Sequence, residues 1–419
     1  MLIRWFSNAA RAMTAEFRVV FHDVGVMLFF FVLPLLYPVT YTLIYNPEIV
    51  TDIPVAIVDR SQTPQSRELI RKLDATQSMK IYTQAASTDE ARDMLFDRKI
   101  HAYFVIPEDY ARKIGTLEQP QVEAYCDMSL LLRYRQIFSA VTEVQLNLVS
   151  DITAERLGAT GLSGAVSSVP VQSTQNIMGD PTQGFASFIM PGIIILILQQ
   201  SMLLGCTLIG GTRRERRLNY QGYDPVEGDL PGHSAVVFGR AMCYVLCYVP
   251  MTLYVLHWVP AMFDLPHYGD FTHELIFFFP LLLATAFLGQ ASVFFSRKRE
   301  MCFMLVVFSS LVFLFLSGLT WPRYAMSKVW IWCGDLVPAT WGVEGFIRMN
   351  SNGATIPENT TPYIALWVLA AVYYILAIVV SRYFARVDRR LRLRASRLGI
   401  PVSAPDPTAS PANPVLLPK

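Results

Sequence analysis

Six apolar segments, each long enough to cross a hydrocarbon core as a helix, constrain this chain more than anything else in it. They run over 24–45, 185–209, 236–263, 275–295, 301–320 and 363–380, where a span takes roughly 20 helical residues. Inside a bilayer a single segment satisfies its own backbone polar groups only as a helix. Composition agrees, at 53% hydrophobic and 16% charged over 419 residues. None of the six has an acidic residue in its middle, and Arg240 lies near enough to the start of the third to snorkel.

Charge gives the orientation. The connections "TRRERR" (212–217) and "SRKRE" (296–300) and the stretch "SRYFARVDRRLRLRASR" (381–397) are strongly basic. The loop "DLPHYGDFTHE" (264–274) has acids and no Lys or Arg. By the positive-inside rule these signs alternate correctly for six spans with both termini in the cytoplasm. Formal net charge is only +2, which gives no reason to expect nucleic acid as a partner.

Residues 1–23 precede the first span and lack the compact apolar core and small-residue cleavage site of a secretory signal. Ile3, Phe6, Ala10, Met13, Phe17 and Val20 recur at helical spacing, with Arg4, Arg11 and Arg18 on another face. That pattern predicts an amphipathic helix in the membrane interface; a mitochondrial transit peptide would look similar.

The segment 46–184, with 13 Lys+Arg against 18 Asp+Glu, falls outside the membrane and reads as an α/β domain. "IPVAIVD", "KIYTQ", "AYFVIP" and "QVEAYCD" are strand runs. Thr63 before Pro64 and "STDE" at 87–90 are helix starts. A long helix follows over 129–157, with a stripe at Leu130, Tyr134, Ile137, Val141, Val144 and Leu148. The stripe fits either packing on the domain's own sheet or a short dimer coiled coil. Residues 158–184 read as a linker. The chain closes on a tail, 386–419, basic at first and then proline-rich.

Enzyme chemistry is not visible. There is no GxxxxGK[ST], HExxH or GxSxG motif, and His22, His101, His233, His257, His267 and His273 show no metal spacing. Cys243 and Cys247 sit one turn apart without further ligand types nearby, so they read as small apolar filler and no metal is expected. Gln199 and Gln200 in the second span, with His257 in the third, are candidate pathway residues; hydrogen bonding between helices accounts for them equally well. The loop 210–240 is the candidate contact with another protein, with Glu215 among Arg213, Arg214, Arg216 and Arg217 and then Tyr220. A topology signal needing no partner is the alternative reading.

An interfacial helix, one span, a large external domain and five further spans with an "ERR"-bearing loop form an arrangement that resembles the ABC-2 type permeases of ATP-binding-cassette exporters. The nearer likeness is to the bacterial subset with an external domain, on "IPVAIVDRSQTPQSRELIRKL" and "STDEARDMLFDRKIHAYFVIPEDYARKI". "FLSGLTWPRYAM" and "LVPATWGVEGFIRMNSNG" match the family's C-terminal pattern at Ser317, Gly318, Pro322, Pro338, Gly345, Arg348 and Gly353. Trp321 and Ser327 depart from it.

The resemblance implies a permease subunit in a bacterial inner membrane that binds no cofactor itself. ATP and Mg would sit on separate nucleotide-binding subunits, and a second permease chain, identical or a paralogue, would complete the pathway. Residues 213–220 would be the coupling helix. The external domain would be placed to meet a periplasmic adaptor. Aromatic-rich, nearly uncharged spans favour an amphiphilic, drug-like or lipid cargo. Two other classes are distinguishable: a membrane-anchored protein whose external domain binds a ligand without transport, and an ion-driven transporter. The second is disfavoured because no span carries a buried acid and no inverted repeat is visible.

Residues 321–353 join the last two spans. Ser317, Gly318 and Pro322 end the fifth; a helix near 329–336, a break at Pro338 and a second helix near 341–349 predict a hairpin dipping back into the membrane as an outer gate. Asp335, Glu344 and Arg348 would face one another or an exit vestibule. An amphipathic loop resting on the bilayer is the alternative.

Overall fold

The computed structural model describes residues 2–45, 49–116, 118–159, 184–228 and 230–397. Most of the expected linker 158–184 and the proline-rich tail lie outside them. The chain divides into two compact units, one from Met1–Asn46 with Ile177–Lys419 and one from Pro47–Asn176.

The first unit is a helical bundle. Its spans are Val24–Tyr45, Phe185–Asn219, His233–Met262, Phe271–Phe295, Arg299–Leu316 and Thr360–Arg397. The second and sixth run well past their apolar windows, through Arg213–Arg217 and to Arg397. A hydropathy reading stops at the first charges, whereas a helix continues wherever partners satisfy them. Span two is the axis of the bundle, packing against spans one, four and five and the hairpin helix Pro338–Asn352. Its buried face accepts the Phe30 ring, which also meets Tyr244 and Tyr248 edge-on at centroid distances of 5.7 and 5.1 Å. A Cβ on Gly205 would lie 2.0 Å from that ring. Single turns of π-helix interrupt span one at Leu28–Val32 and span three at Tyr254–Trp258.

The N-terminal helix Leu2–His22 packs a narrow face against the bundle. Ala9, Ala12, Glu16 and Val20 are buried, while Ile3 and Phe6 are exposed. Small residues decide this: the Ala9 backbone packs so close to span three that a Cβ on Gly239 would lie 2.1 Å from the Ala9 carbonyl oxygen. Asp23 ends the helix and caps the next, accepting from the Gly25 and Val26 amides at 3.0 and 3.2 Å.

Between spans five and six lie two helices, Lys328–Asp335 and Pro338–Asn352. Span five ends at Leu316, followed by Gly318 at φ +85°, a conformation open chiefly to glycine. Gly353 at φ +64° closes the second hairpin helix, its amide donating to the Met349 carbonyl at 2.9 Å.

The second unit is an α/β domain whose sheet has strands β1 (Ile53–Asp59), β2 (Met79–Gln84), β3 (Ala102–Ile106) and β4 (Glu123–Cys126). Their order is β2-β1-β3-β4, with β4 alone antiparallel to its neighbour. Strands β1 and β3 are nearly continuous apolar runs because helices cover both faces. Val55, Ile57 and Phe104 cluster with Ile137, Ala140 and Val144 of the helix Leu131–Ala159, so the stripe packs on the domain's own sheet. Ala91, at the start of Thr88–Phe96, is buried with Ala56, Val58 and Val105 of the other face. Thr63 and Ser66 form the capping box of helix Pro64–Asp74. Ser87 caps Thr88–Phe96, with Glu90 accepting from the Ala86 amide at 2.8 Å.

Candidate functional site

The arginine segment is the end of span two, and it is folded into an ionic cluster. Arg213 and Arg214 are only 9% and 8% exposed. Arg213 reaches Glu16 of the N-terminal helix at 2.7 Å and forks onto Glu227 of the following loop at 2.7–2.9 Å. Arg240 of span three holds the same two carboxylates, at 3.1 Å to Glu16 and 2.7 Å to Glu227. The Tyr244 hydroxyl donates to Glu16, whose residue is completely buried. Arg216 meets Asp224 at 3.3 Å. On the other side Arg214 and Arg217 share Asp388 of span six at 2.7 and 3.1 Å, and the Arg214 guanidinium lies 4.5 Å over the Phe384 ring. A buried carboxylate is tolerated only with such pairing. Burial pushes the Glu227 carboxyl up, but Arg213 and Arg240 overcome it and bring it down to about 2.

Glu215 faces away from this network and accepts the Arg299 amide at 3.2 Å, at the first turn of span five. The Arg299 guanidinium in turn forks onto Asp23 at 2.6 and 2.7 Å. Burial alone would raise the Asp23 carboxyl, yet Arg299 and the capped amides hold it below its ordinary value. Tyr220, just past the helix end, is exposed. Span two is thus tied at one end to the N-terminal helix, span three, span five, span six and the 220–228 loop.

At the opposite end the hairpin carries a second network. Arg323 binds Glu344 at 2.8 Å and also binds Asp335, and Glu344 accepts from Arg348 at 2.7 Å. The Arg323 guanidinium lies 4.9 Å over the Trp341 ring, whose Nε1 donates to the Asp335 carbonyl at 3.0 Å. Asp335 and Glu344 therefore converge on Arg323, a residue that the sequence does not single out, and Arg348 joins through Glu344. Pro338 opens the second hairpin helix, Pro322 the turn of 3-10 helix at Arg323–Ala325, and Ser317 caps span five.

Beside this network, Glu274 in the first turn of span four is 1% exposed. Its carboxylate lies 3.4 Å from His267 Nε2, and His267 Nδ1 is 2.7 Å from Asn350 of the hairpin. The adjacent Glu274 carboxylate raises the imidazole above its ordinary value despite burial. The apolar run starts only after Glu274, so hydropathy places it in the loop, whereas the helix begins at Phe271.

In mid-bundle Gln199 is 1% exposed, and among the described residues neither its amide atoms nor those of Gln200 find a hydrogen-bond partner. His257 is not with them: it lies exposed in the π turn of span three, 6.1 Å from the Phe271 ring.

A family model described as ABC-2 family transporter protein matches residues 25–379. The chain belongs to the ABC-2 transporter family. No curated protein matches it. The chain is thus a multi-pass membrane permease of an ABC transporter, and permeases of this family are transmembrane subunits, not ATPases, that associate with ATP-binding subunits. The match covers all the charged residues of the two networks except Glu16, Asp23 and Asp388. Those three carboxylates are also the partners least visible in the permease's sequence, each isolated among arginines or apolar residues. The signal available for Glu16 and Asp388 was that each stands on a helix face otherwise apolar or basic.

Proposed function

We propose that this permease is the membrane subunit of an exporter, driven by ATP and Mg bound on separate nucleotide-binding subunits. It carries amphiphilic, drug-like or lipid cargo from the cytoplasm or inner leaflet. It works as a dimer with an identical or paralogous chain, in a bacterial inner membrane with both termini cytoplasmic. Lysine and arginine bias supports that orientation.

The observation that carries this reading is the ionic cluster at the end of span two. An exposed coupling helix would transmit motion through its own docking alone. Here the 213–217 segment is clamped to the N-terminal helix by Glu16, to the following loop by Glu227 and to span six by Asp388, and Arg240 of span three holds the first two of these carboxylates. A push on the exposed rim, at Tyr220 and the 220–228 loop, then moves span two as a rigid body with its neighbours. The unpartnered amides of Gln199 and Gln200 support a pathway along span two, since amides buried in a membrane seek partners from cargo or a second chain. The Arg323 network makes the hairpin a unit able to act as the outer gate, with an adaptor meeting the external domain.

Purification from the native membrane tests the assignment. An ATPase subunit is expected to co-purify, and Tyr220→Asp on the exposed rim is expected to weaken its retention while the permease stays folded; export by the permease alone would overturn the reading.

A further inference from the structure

His267, in the loop between spans three and four, stands between two acceptors. Its Nε2 faces the Glu274 carboxylate of span four at 3.4 Å, and its Nδ1 lies 2.7 Å from Asn350 Oδ1 of the hairpin. The Asn350 side-chain nitrogen turns to the Pro266 carbonyl at 3.5 Å, which keeps the oxygen toward the ring. A neutral imidazole has one N–H and leaves one acceptor facing a lone pair; only the imidazolium presents an N–H to both. It also supplies a counter-charge to a carboxylate whose residue is 1% exposed. The loop backbone closes over the same contact. The Tyr268 amide donates to the Asn350 backbone carbonyl at 2.9 Å, and a Cβ on Gly269 would lie 2.1 Å from Glu274 Oε1 and 3.2 Å from the Met349 carbonyl oxygen.

The other titratable groups of the surrounding elements are engaged elsewhere. Asp270 pairs with His273 at 2.6 Å at the start of span four, and Glu344 pairs with Arg323 and Arg348 at the hairpin. His257 of span three meets the Phe271 ring, Asp264 of the same loop is exposed, and Glu358 accepts from the Thr355 amide at 2.7 Å. Spans two and three reach the adjoining crevice through Met190, Ile194 and Val255, which do not titrate.

From these contacts we infer a proton-binding site, shared by His267 and Glu274, that latches the hairpin to the 264–270 loop and lets it go when the proton leaves. The proton departs through the imidazole, which is 20% exposed, and not through the enclosed carboxylate. Glu274 raises the imidazole, so release falls on the alkaline side of 6.5. The consequence for export rests on the hairpin being the outer gate: an acidic compartment on that side keeps the gate latched, and an alkaline one frees it.

The test reads hairpin opening apart from transport. Met349, completely buried against the loop, is replaced by cysteine in the full-length permease in proteoliposomes. Its modification by a water-soluble maleimide is followed as a ratio to that of Cys333, exposed on the first hairpin helix of the same chain. From about pH 6 to about pH 9 the ratio should rise about tenfold, the scale of one charge-assisted contact. Glu274→Gln, which asks for no counter-charge, and His267→Lys, which stays cationic across this range, should each flatten the rise. In the chain without the cysteine substitution, hydrogen exchange of residues 346–352, corrected for its intrinsic pH dependence, should follow the same course. A level ratio and level exchange, or a rise that persists in both variants, overturns the latch. Labelling that follows pH while cargo movement ignores it would uphold the latch and remove the hairpin from the role of gate.

Discussion

Individual residues at the two ends of the bundle titrate in opposite senses. Glu227 drops from an ordinary 4.5 to about 2 through Arg213 and Arg240. A carboxyl lowered by folding contributes stability that is full above its unfolded value and is lost as pH falls through the folded one. The cluster should therefore loosen between pH 4.5 and about 2, and Glu227→Gln should remove that acid-dependent step from thermal unfolding scans. His267 is raised by the Glu274 carboxylate beside it. A raised imidazole contributes fully below its unfolded value, near 6.5, and loses that contribution as pH rises through the higher folded value. Stability of the hairpin end should thus decline on the alkaline side of 6.5, and Glu274→Gln should flatten the decline. Hydrogen exchange of the 264–270 loop against pH reads this directly; a slope unchanged by Glu274→Gln would refute the pairing.

At the scale of elements, close approach sets the position of the N-terminal helix. Leu2–His22 leans on span three where Gly239 leaves room for the Ala9 backbone. Gly239→Leu should prise that helix away and expose Glu16, costing about 1–3 kcal/mol by overpacking; faster proteolysis within residues 2–22 measures it. This element shows how far the sequence could be read. Its amphipathic period was legible, but which face turns inward was not, because alanine and glycine, and not the larger apolar residues, decide close packing. The spans were legible from hydropathy and the α/β domain from alternating strand runs and caps. The lengths of spans two and six were not. Arg213–Arg217 and 386–397 read as loop or tail until Glu16, Glu227 and Asp388, far apart in sequence, are seen to pair with the arginines. The hairpin's two helices followed from Pro338, while its centre, Arg323, stood hidden in a turn twelve residues from Asp335.

For the whole molecule, the two networks frame span two. One ties its arginine end to the N-terminal helix and to spans three, five and six; the other organises the hairpin, whose second helix packs on the far half of span two. In the proposed function this clamp carries closure of the ATPase subunits to span two and its neighbours. Asp388 tests it most directly, since it joins Arg214 and Arg217 to span six. The measurement is ATP hydrolysis and cargo movement together, in proteoliposomes holding the permease and its ATPase subunit, for the native chain and Asp388→Asn. The account predicts hydrolysis within about twofold of native and transport reduced about tenfold or more, the loss of one buried charge-assisted hydrogen-bonded pair being on the order of 2 kcal/mol. Transport undiminished, or hydrolysis and transport falling in step, would contradict it.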